Sequence, residues 1–327
     1  MRTVVCQQHG GSEVLAIEEE AAPEINESQV LIAVKTVGIN YVDGLLIAGT
    51  YQIKVPTPFV PGSDLAAEVV EVGAKVEGFA VGDKVLASVG IGALSEMLAV
   101  DPSQISKIPN GMSDALAATF LQSNGTAYFA LVNCAAIKAG ECVLVLGAAG
   151  GTGMATIHIA KALGAKVIAA ASSDIKLQAC RDAGADETIN YLTEDLKVRA
   201  KALSGGAGVD IVFDPVGGDY AEPALRACAP GARFLVVGFA GGPIPNIPLN
   251  LPLLKRCSLI GVNWGASYSA EPALLDEVNS ALIELFSAGE LKEPPITEFA
   301  MEAVGEALDA LHGRRLAGRA VVRLAAS

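Results

Sequence analysis

The sequence predicts an α/β fold, a doubly wound parallel sheet joined to a β-rich domain, on three observations. The apolar run Val143-Leu144-Val145-Leu146 leads straight into Gly147-Ala148-Ala149-Gly150-Gly151-Thr152-Gly153 and then a helical run over 154–163, the order strand, tight turn, helix. Gly164-Ala165 and a second apolar strand over 166–171 follow, which completes a βαβ unit. Upstream, short alternating or β-branched runs are punctuated by Pro61-Gly62-Ser63-Asp64 and Val81-Gly82-Asp83, the pattern of an antiparallel β domain.

Taken in order, the N-terminal strands are expected over 3–6, 14–18, 29–37, 65–72, 84–87 and 96–99. From Ser113 the character changes to helical runs over 114–122 and 126–136, which lead into the glycine turn. Helix and strand then alternate: helices over 174–183, 193–203 and 219–227, strands over 187–190, 209–214 and 233–237. Four-residue apolar strands that follow helices belong to a sheet covered on both faces. A Pro-rich link over 242–252 precedes a strand over 258–262, helical patterns over 272–288 and 301–312, and a last strand over 319–324. There is no internal repeat and no low-complexity tail.

With 327 residues, half of them hydrophobic, the chain can build two cored domains, yet it has no uninterrupted apolar run able to cross a bilayer. Met1 to Gly10 lacks the apolar centre of a signal peptide, so a soluble, cytoplasmic protein is expected. The six cysteines are scattered without the paired spacing of a disulfide framework or a zinc knot, and buried free thiols are the expectation. A net charge of −13 repels phosphodiester backbones and anionic membranes. No basic cluster with interleaved aromatics offsets it, so neither nucleic acid nor membrane is an expected partner.

The glycine turn carries the chemistry. Missing side chains at Gly150 and Gly153 let a pyrophosphate approach the backbone and let the helix pack close to its strand, while the amides at the helix start attract phosphate. The spacing is Ala148-x-Gly150-x-x-Gly153, with alanine in place of the first glycine of the commoner fingerprint. At the end of the second strand, where an NAD site places an acid for the ribose, stand Ser172-Ser173-Asp174-Ile175-Lys176. Two hydroxyls and a lysine suit a phosphate and favour NADPH. Asp174 counts toward NADH, and the serines also suit the cap of the next helix.

These residues, together with Gly38-Ile39-Asn40-Tyr41-Val42-Asp43, Ala48-Gly49-Thr50-Tyr51, Val81-Gly82-Asp83-Lys84-Val85, Gly140-Glu141 and Gly184-Ala185-Asp186 before Ile189-Asn190-Tyr191, resemble the medium-chain dehydrogenase/reductase superfamily, and within it the zeta-crystallin-like NADPH:quinone oxidoreductases. The match spans nearly the whole chain. One departure is His158, where that signature usually has glutamine.

The resemblance implies a GroES-like β-rich substrate domain over 1–123, completed by 265–327, and an inserted Rossmann domain over 124–264 that binds NADPH. It implies that Asn40 and Thr126 meet the nicotinamide and that Ala149, Gly150, Gly151, Thr152 and Gly153 meet the pyrophosphate. Ser172, Ser173, Lys176 and Tyr191 surround the adenosine phosphate, to which Arg314 adds charge. Val216, Phe239, Ala240, Asn263, Trp264 and Gly265 close over the cofactor. The active site is expected in the cleft between the domains, and the apolar strand 257–262 at a sheet edge implies a homodimer.

What the motif positions hold then narrows the chemistry. Zinc alcohol dehydrogenases of the superfamily have a ligand histidine where Ser63 stands and a cysteine on the loop that here offers Asn40 and Asp43, and zinc needs three protein ligands. Without a Lewis acid, the acceptor has to be electron-poor by itself, as quinones and conjugated enones are, with hydrogen-bond donors taking up the charge. Asn40 and Tyr51 are the catalytic candidates, Tyr51 or a water supplying the proton. Tyr41, Asp43 and Trp264 are the candidates for the pocket wall. Tyr41 and Tyr51 serve equally as plain cleft walls. His9 and His312 are expected in solvent and His158 in a structural role. Three functions stay open: quinone reduction, reduction of enones, enals or enoyl thioesters, and a non-catalytic nucleotide-binding or RNA-associated role.

Overall fold

The structure is a computed structural model that describes residues 1–324. They form two compact units, one from Met1–Gln122 together with the chain from Ile296 onward, the other from Ser123–Pro295.

The first unit opens with β1 (Arg2–Cys6) and β2 (Leu15–Glu19), an antiparallel pair. Its main sheet contains β3 (Val30–Ile39), β4 (Asp64–Val72), β5 (Lys84–Ser88), β6 (Met97–Val100) and β7 (Ile105–Lys107). β3 pairs antiparallel with β4 and, over Val30–Ala33, with β6; β4 pairs with β5 and β5 with β7. Eight of the ten β3 residues are buried, so this strand is covered on both faces and its alternation is weak. Between β3 and β4 lies α1 (Tyr41–Ile47), where the sequence showed only a loop. A capping box starts it: the Asn40 side chain accepts from the Asp43 amide and Asp43 Oδ2 accepts from the Asn40 amide at 2.7 Å. The helical run expected over 114–122 breaks into α2 (Asp114–Ala117) and the start of α3 (Phe120–Tyr128).

In the second unit β8 (Cys142–Val145), α4 (Gly151–Ala162), β9 (Lys166–Ala171), α5 (Asp174–Asp182), β10 (Glu187–Asn190), α6 (Leu196–Leu203), β11 (Val209–Asp214), α7 (Ala221–Ala227), β12 (Cys228–Val236), α8 (Asn250–Lys255) and β13 (Ser258–Gly261) follow one another. The sheet order is β10-β9-β8-β11-β12-β13 and every pairing is parallel. Strand order reverses between β8 and β11, so the carboxyl ends of the central strands open a ligand crevice. All four β8 residues are buried. Three helical features differ from the expectation: residues Phe129–Cys134 wind as a π-helix after α3, the Pro-rich link contains α8, and Asn263 caps α9 (Trp264–Ala270) rather than forming a bare turn. With α10 (Pro272–Ser287), α9 is grouped with this unit, so the second junction lies at 295/296 where the resemblance implied 264/265.

The chain then returns to the first unit with β14 (Ile296–Ala300), α11 (Val304–His312) and β15 (Arg319–Arg323). β15 inserts between β14, to which it is parallel, and β3, to which it is antiparallel. That parallel pair is the exception in an otherwise antiparallel sheet. No helix among the described residues is long and apolar enough to cross a membrane.

Candidate active site

In the second unit the glycine turn folds by backbone hydrogen bonding: Gly147 takes a left-handed φ of 56° and its carbonyl accepts from the Gly150 amide at 3.0 Å. Gly147 is a requirement the sequence pattern passed over, since a Cβ there would stand 2.8 Å from Val216 Cγ2. At Gly153 a Cβ would meet the Gly147 oxygen at 2.5 Å and Ala148 Cα at 2.7 Å, so this glycine lets α4 press against the turn. Gly150 faces open space, with only the Gly147 oxygen at 3.4 Å. It is the N-cap of α4 and offers no side-chain cap, which leaves the first-turn amides of Gly151, Thr152 and Gly153 for a ligand. A twelve-residue helix puts its positive end there. An anionic pyrophosphate fits this cradle.

The neighbouring turn, after β11, is pinned by Asp214. Its Oδ1 accepts from the amides of Val216 and Gly217, both at 2.8 Å, and the residue is 3% exposed. Burial raises its pKa and the two amides oppose that rise. The turn over 238–241 zips onto it, Ala240 N–H to Pro215 O at 3.1 Å and Gly241 N–H to Val216 O at 2.7 Å, while Phe239 lies against Gly217. Asp214 has no counterpart in the sequence expectations. Asp214→Ala leaves two buried amides unpaired and should destabilise the protein by about 1–3 kcal/mol; denaturant unfolding checks this, and a wild-type midpoint would refute it.

At the end of β9, Ser173 caps α5 and accepts from the Lys176 amide, so the capping expectation holds alongside any role toward phosphate. Ser172 and Lys176 are half-buried. Asp174 is exposed and its Oδ1 accepts from Asn190 Nδ2 at 3.4 Å. Tyr191 stands against Tyr220, ring centroids 4.3 Å apart. Further along the unit, Trp264 is 4% exposed, packs on Phe129 and Tyr268 at 5.4 and 5.0 Å, and places its indole nitrogen over Gly125, beside the buried Thr126. The indole is therefore packed among residues of its own unit, and exposed Asn263 accepts from the Ala266 amide as a helix cap.

In the first unit the loop residue Asn40 is committed on several sides. Its side chain caps α1, and Nδ2 reaches Ser63 Oγ at 3.3 Å. Asp43, expected in the pocket wall, is instead 1% exposed and closed inside the cap, because its carboxylate is needed at the Asn40 amide. Asp64 is also 1% exposed; its Oδ2 accepts from the Gln122 amide at 3.0 Å, and it faces the guanidinium of Arg319, 4% exposed. Arg319 donates to Thr119 O at 2.8 Å and Oγ1 at 3.2 Å. Tyr41 is half-buried and stacks on His312 with centroids 4.4 Å apart. His312 is thus no solvated residue: α11 packs against α1, and glycine at position 44 makes room for the ring, a Cβ there falling 2.0 Å from Nε2. His9 is exposed as expected, His158 is buried, Tyr51 is half-buried against the core, and Arg314 is exposed with φ of 54°. Buried Asp64 and Arg319 were visible only as charges in apolar runs.

Two family models match the chain: the alcohol dehydrogenase GroES-like domain over residues 26–110 and the zinc-binding dehydrogenase over residues 151–280. A quinone oxidoreductase-like protein 2 homolog from Nematostella vectensis is 38% identical over 325 residues, covering 98% of this chain and 88% of that protein. A probable oxidoreductase from Mycobacterium abscessus superposes with a TM-score of 0.89 at 34% identity over 99% of both chains. Escherichia coli quinone oxidoreductase, solved in complex with NADPH, gives 0.91 at 27% identity over 99% of this chain and 100% of that one.

Proposed function

Since the chain belongs to the medium-chain dehydrogenase/reductase superfamily, in its zeta-crystallin-like quinone oxidoreductase branch, and is a nicotinamide-dependent oxidoreductase, we propose that it reduces quinones with NADPH and without zinc. The observation that carries this reading is the pairing of an intact pyrophosphate cradle at Gly150–Gly153 with Asn40 and Ser63 at the motif positions where a zinc enzyme needs ligands. A carboxamide and a hydroxyl that hydrogen-bond each other are donors for an oxyanion and poor zinc ligands.

The bound nicotinamide supplies a hydride. The first-turn amides of α4 hold the pyrophosphate, and the Asp214-pinned turn with Val216, Phe239 and Ala240 bounds the nucleotide. Ser172, Ser173, Lys176 and Tyr191 take the adenosine phosphate, as suits the NADPH that the Escherichia coli relative binds; Arg314, in the first unit, is assigned to it by the resemblance alone. Asp174, engaged with Asn190, is a weak competitor for a ribose hydroxyl. Thr126 is assigned to the nicotinamide, as by the resemblance is Asn40 of the first unit; Trp264, with Asn263 and Gly265 beside it in the chain, packs at Gly125, next to Thr126 in the sequence. Asn40 and Tyr41 take up charge or line the acceptor site, and Tyr51 or a water delivers the proton. In this reading the protein is a cytoplasmic homodimer that pairs β13, whose Leu259 is 40% exposed, with its twin.

NADPH oxidation followed by absorbance against quinones, enones, enals and enoyl thioesters tests the acceptor. Highest kcat/KM on quinones is expected; preference for an enone or thioester replaces the acceptor class, and no turnover with retained nucleotide binding moves the protein to a non-catalytic role. Lys176→Ala removes a charge-assisted contact and should raise the KM for NADPH about ten- to a hundredfold while leaving that for NADH nearly unchanged. Equal effects on both nucleotides would remove the phosphate assignment.

A further inference from the structure

Beneath the Asn40 loop two carboxyl groups are buried together. Each spends one oxygen on a backbone amide, Asp43 Oδ2 on Asn40 and Asp64 Oδ2 on Gln122, and each leaves its Oδ1 buried without a well-formed hydrogen bond. Asn40 joins them, its backbone amide bound to Asp43 and its carboxamide reaching Ser63 Oγ and the Asp64 carboxyl. The charged and polar groups facing Asp64 are Arg319 from β15, Ser88 from β5, the Gln122 amide from α3 and the Asn40 carboxamide; Asp43 faces the Asn40 amide and the Asp64 charge, with no cation acting on it among the described residues. His312, on α11, touches α1 at Tyr41 and Gly44. Among the described residues, then, Arg319 is the cation that acts on Asp64, and Asp43 has none.

We propose that Asp43 and Asp64 are positioning residues that share a single proton, and that the ionisation of the second carboxyl releases the Asn40 carboxamide from its working orientation. This rests on the reading that Asn40 acts at the nicotinamide or acceptor. With one proton present, Arg319 balances the ionised Asp64, and the neutral Asp43 brings no charge into its buried site while its Oδ2 still accepts from the Asn40 amide. With none, two buried negative charges repel and the cap on Asn40 is strained between them. Burial pushes Asp43 up to about 7 and Asp64 to about 6, Arg319, Ser88, Gln122 and Asn40 restraining the second. The pair titrates as a unit.

The folded-state pKa values lie above those of an unfolded chain, so the pair favours folding at low pH, and that contribution is lost as pH rises from about 4 through 7. Asp43→Asn keeps an oxygen for the Asn40 amide and imitates the protonated form. In wild type, kcat/KM should drop about tenfold between pH 6 and 8, and in the variant less than about twofold. In ¹⁵N-labelled protein the Asn40 carboxamide signals should shift with a midpoint near pH 7, and the shift should vanish in Asp43→Asn. The fall of Tm with pH should likewise be shallower in the variant. An Asn40 signal that does not titrate, or the same titration in both proteins, overturns the proposal. If the signals titrate as expected but no acceptor is reduced, the function assigned above fails and the proton-sharing pair stands.

Discussion

Arg319→Met should cost the folded protein about 1–3 kcal/mol, the penalty for removing a buried donor from Thr119 together with the charge that acts on Asp64. Arg319 is 4% exposed, donates to both oxygens of Thr119 and is the cation facing Asp64. Burial lowers its own pKa to about 10, so it stays charged through the neutral range. Methionine replaces the stem and removes the charge, which raises Asp64 further. The loss should then depend on pH in a fixed sense. A carboxyl with a raised folded pKa contributes its full share below its unfolded pKa and loses it as pH climbs through the folded value. The variant should be closer to wild type at pH 5 than at pH 8. Denaturant unfolding by circular dichroism at both pH values measures this, and Arg319→Met/Asp64→Leu should recover more than half of the loss. A cost below about 1 kcal/mol, equal at the two pH values, would show that the guanidinium is not balancing the acid.

Gly153→Val should weaken NADPH binding and the fold together. Its Cβ would fall within 2.7 Å of backbone atoms of Gly147 and Ala148, which cannot swing aside as a flexible side chain does, so α4 has to slide away from β8. Overpacking of this kind costs about 1–3 kcal/mol, and because the cradle amides move with the helix, the Kd for NADPH should rise about ten- to more than a hundredfold. Gly150→Ala separates two roles. A methyl there meets only one oxygen at 3.4 Å and the φ of −83° suits any residue, so stability should be near wild type while affinity falls because the methyl stands where the pyrophosphate approaches. Fluorescence titration with NADPH beside a melting curve decides it. Unchanged affinity in Gly150→Ala would mean that no phosphate lies over this turn.

The second unit was legible because each of its signals is local. Four apolar residues, a glycine turn and a periodic run specify β8 and α4 within one stretch, and repetition of that grammar predicts a doubly wound sheet, whose order β10-β9-β8-β11-β12-β13 the structure supplies. Helices α1, α8 and α9 were missed for a different reason. They are short, and what starts α1 and α9 is a single capping side chain, Asn40 or Asn263, that sequence reasoning had reserved for a ligand. The π-helical stretch Phe129–Cys134 reads as ordinary helix in the sequence, since its apolar residues fit either winding. Within the site, the residue types of the glycine turn announced themselves. Asp64, Arg319 and His312 did not, because their roles depend on partners up to two hundred and more positions away along the chain; Asp43 pairs with Asn40 three positions away, but nothing local marks it as buried.

The placement of β15 has a consequence for synthesis on the ribosome. This strand lies inside the sheet of the first unit, between β14 and β3, yet it is translated after the whole of the second unit. While the nascent chain emerges, β3 can pair with β4 and, over Val30–Ala33, with β6, but its residues Thr36–Ile39 keep one flank bare, and Asp64 waits for its counter-charge. The nucleotide-binding unit has every strand it needs much earlier. It should mature first, with the N-terminal segment left incomplete until the late strand arrives.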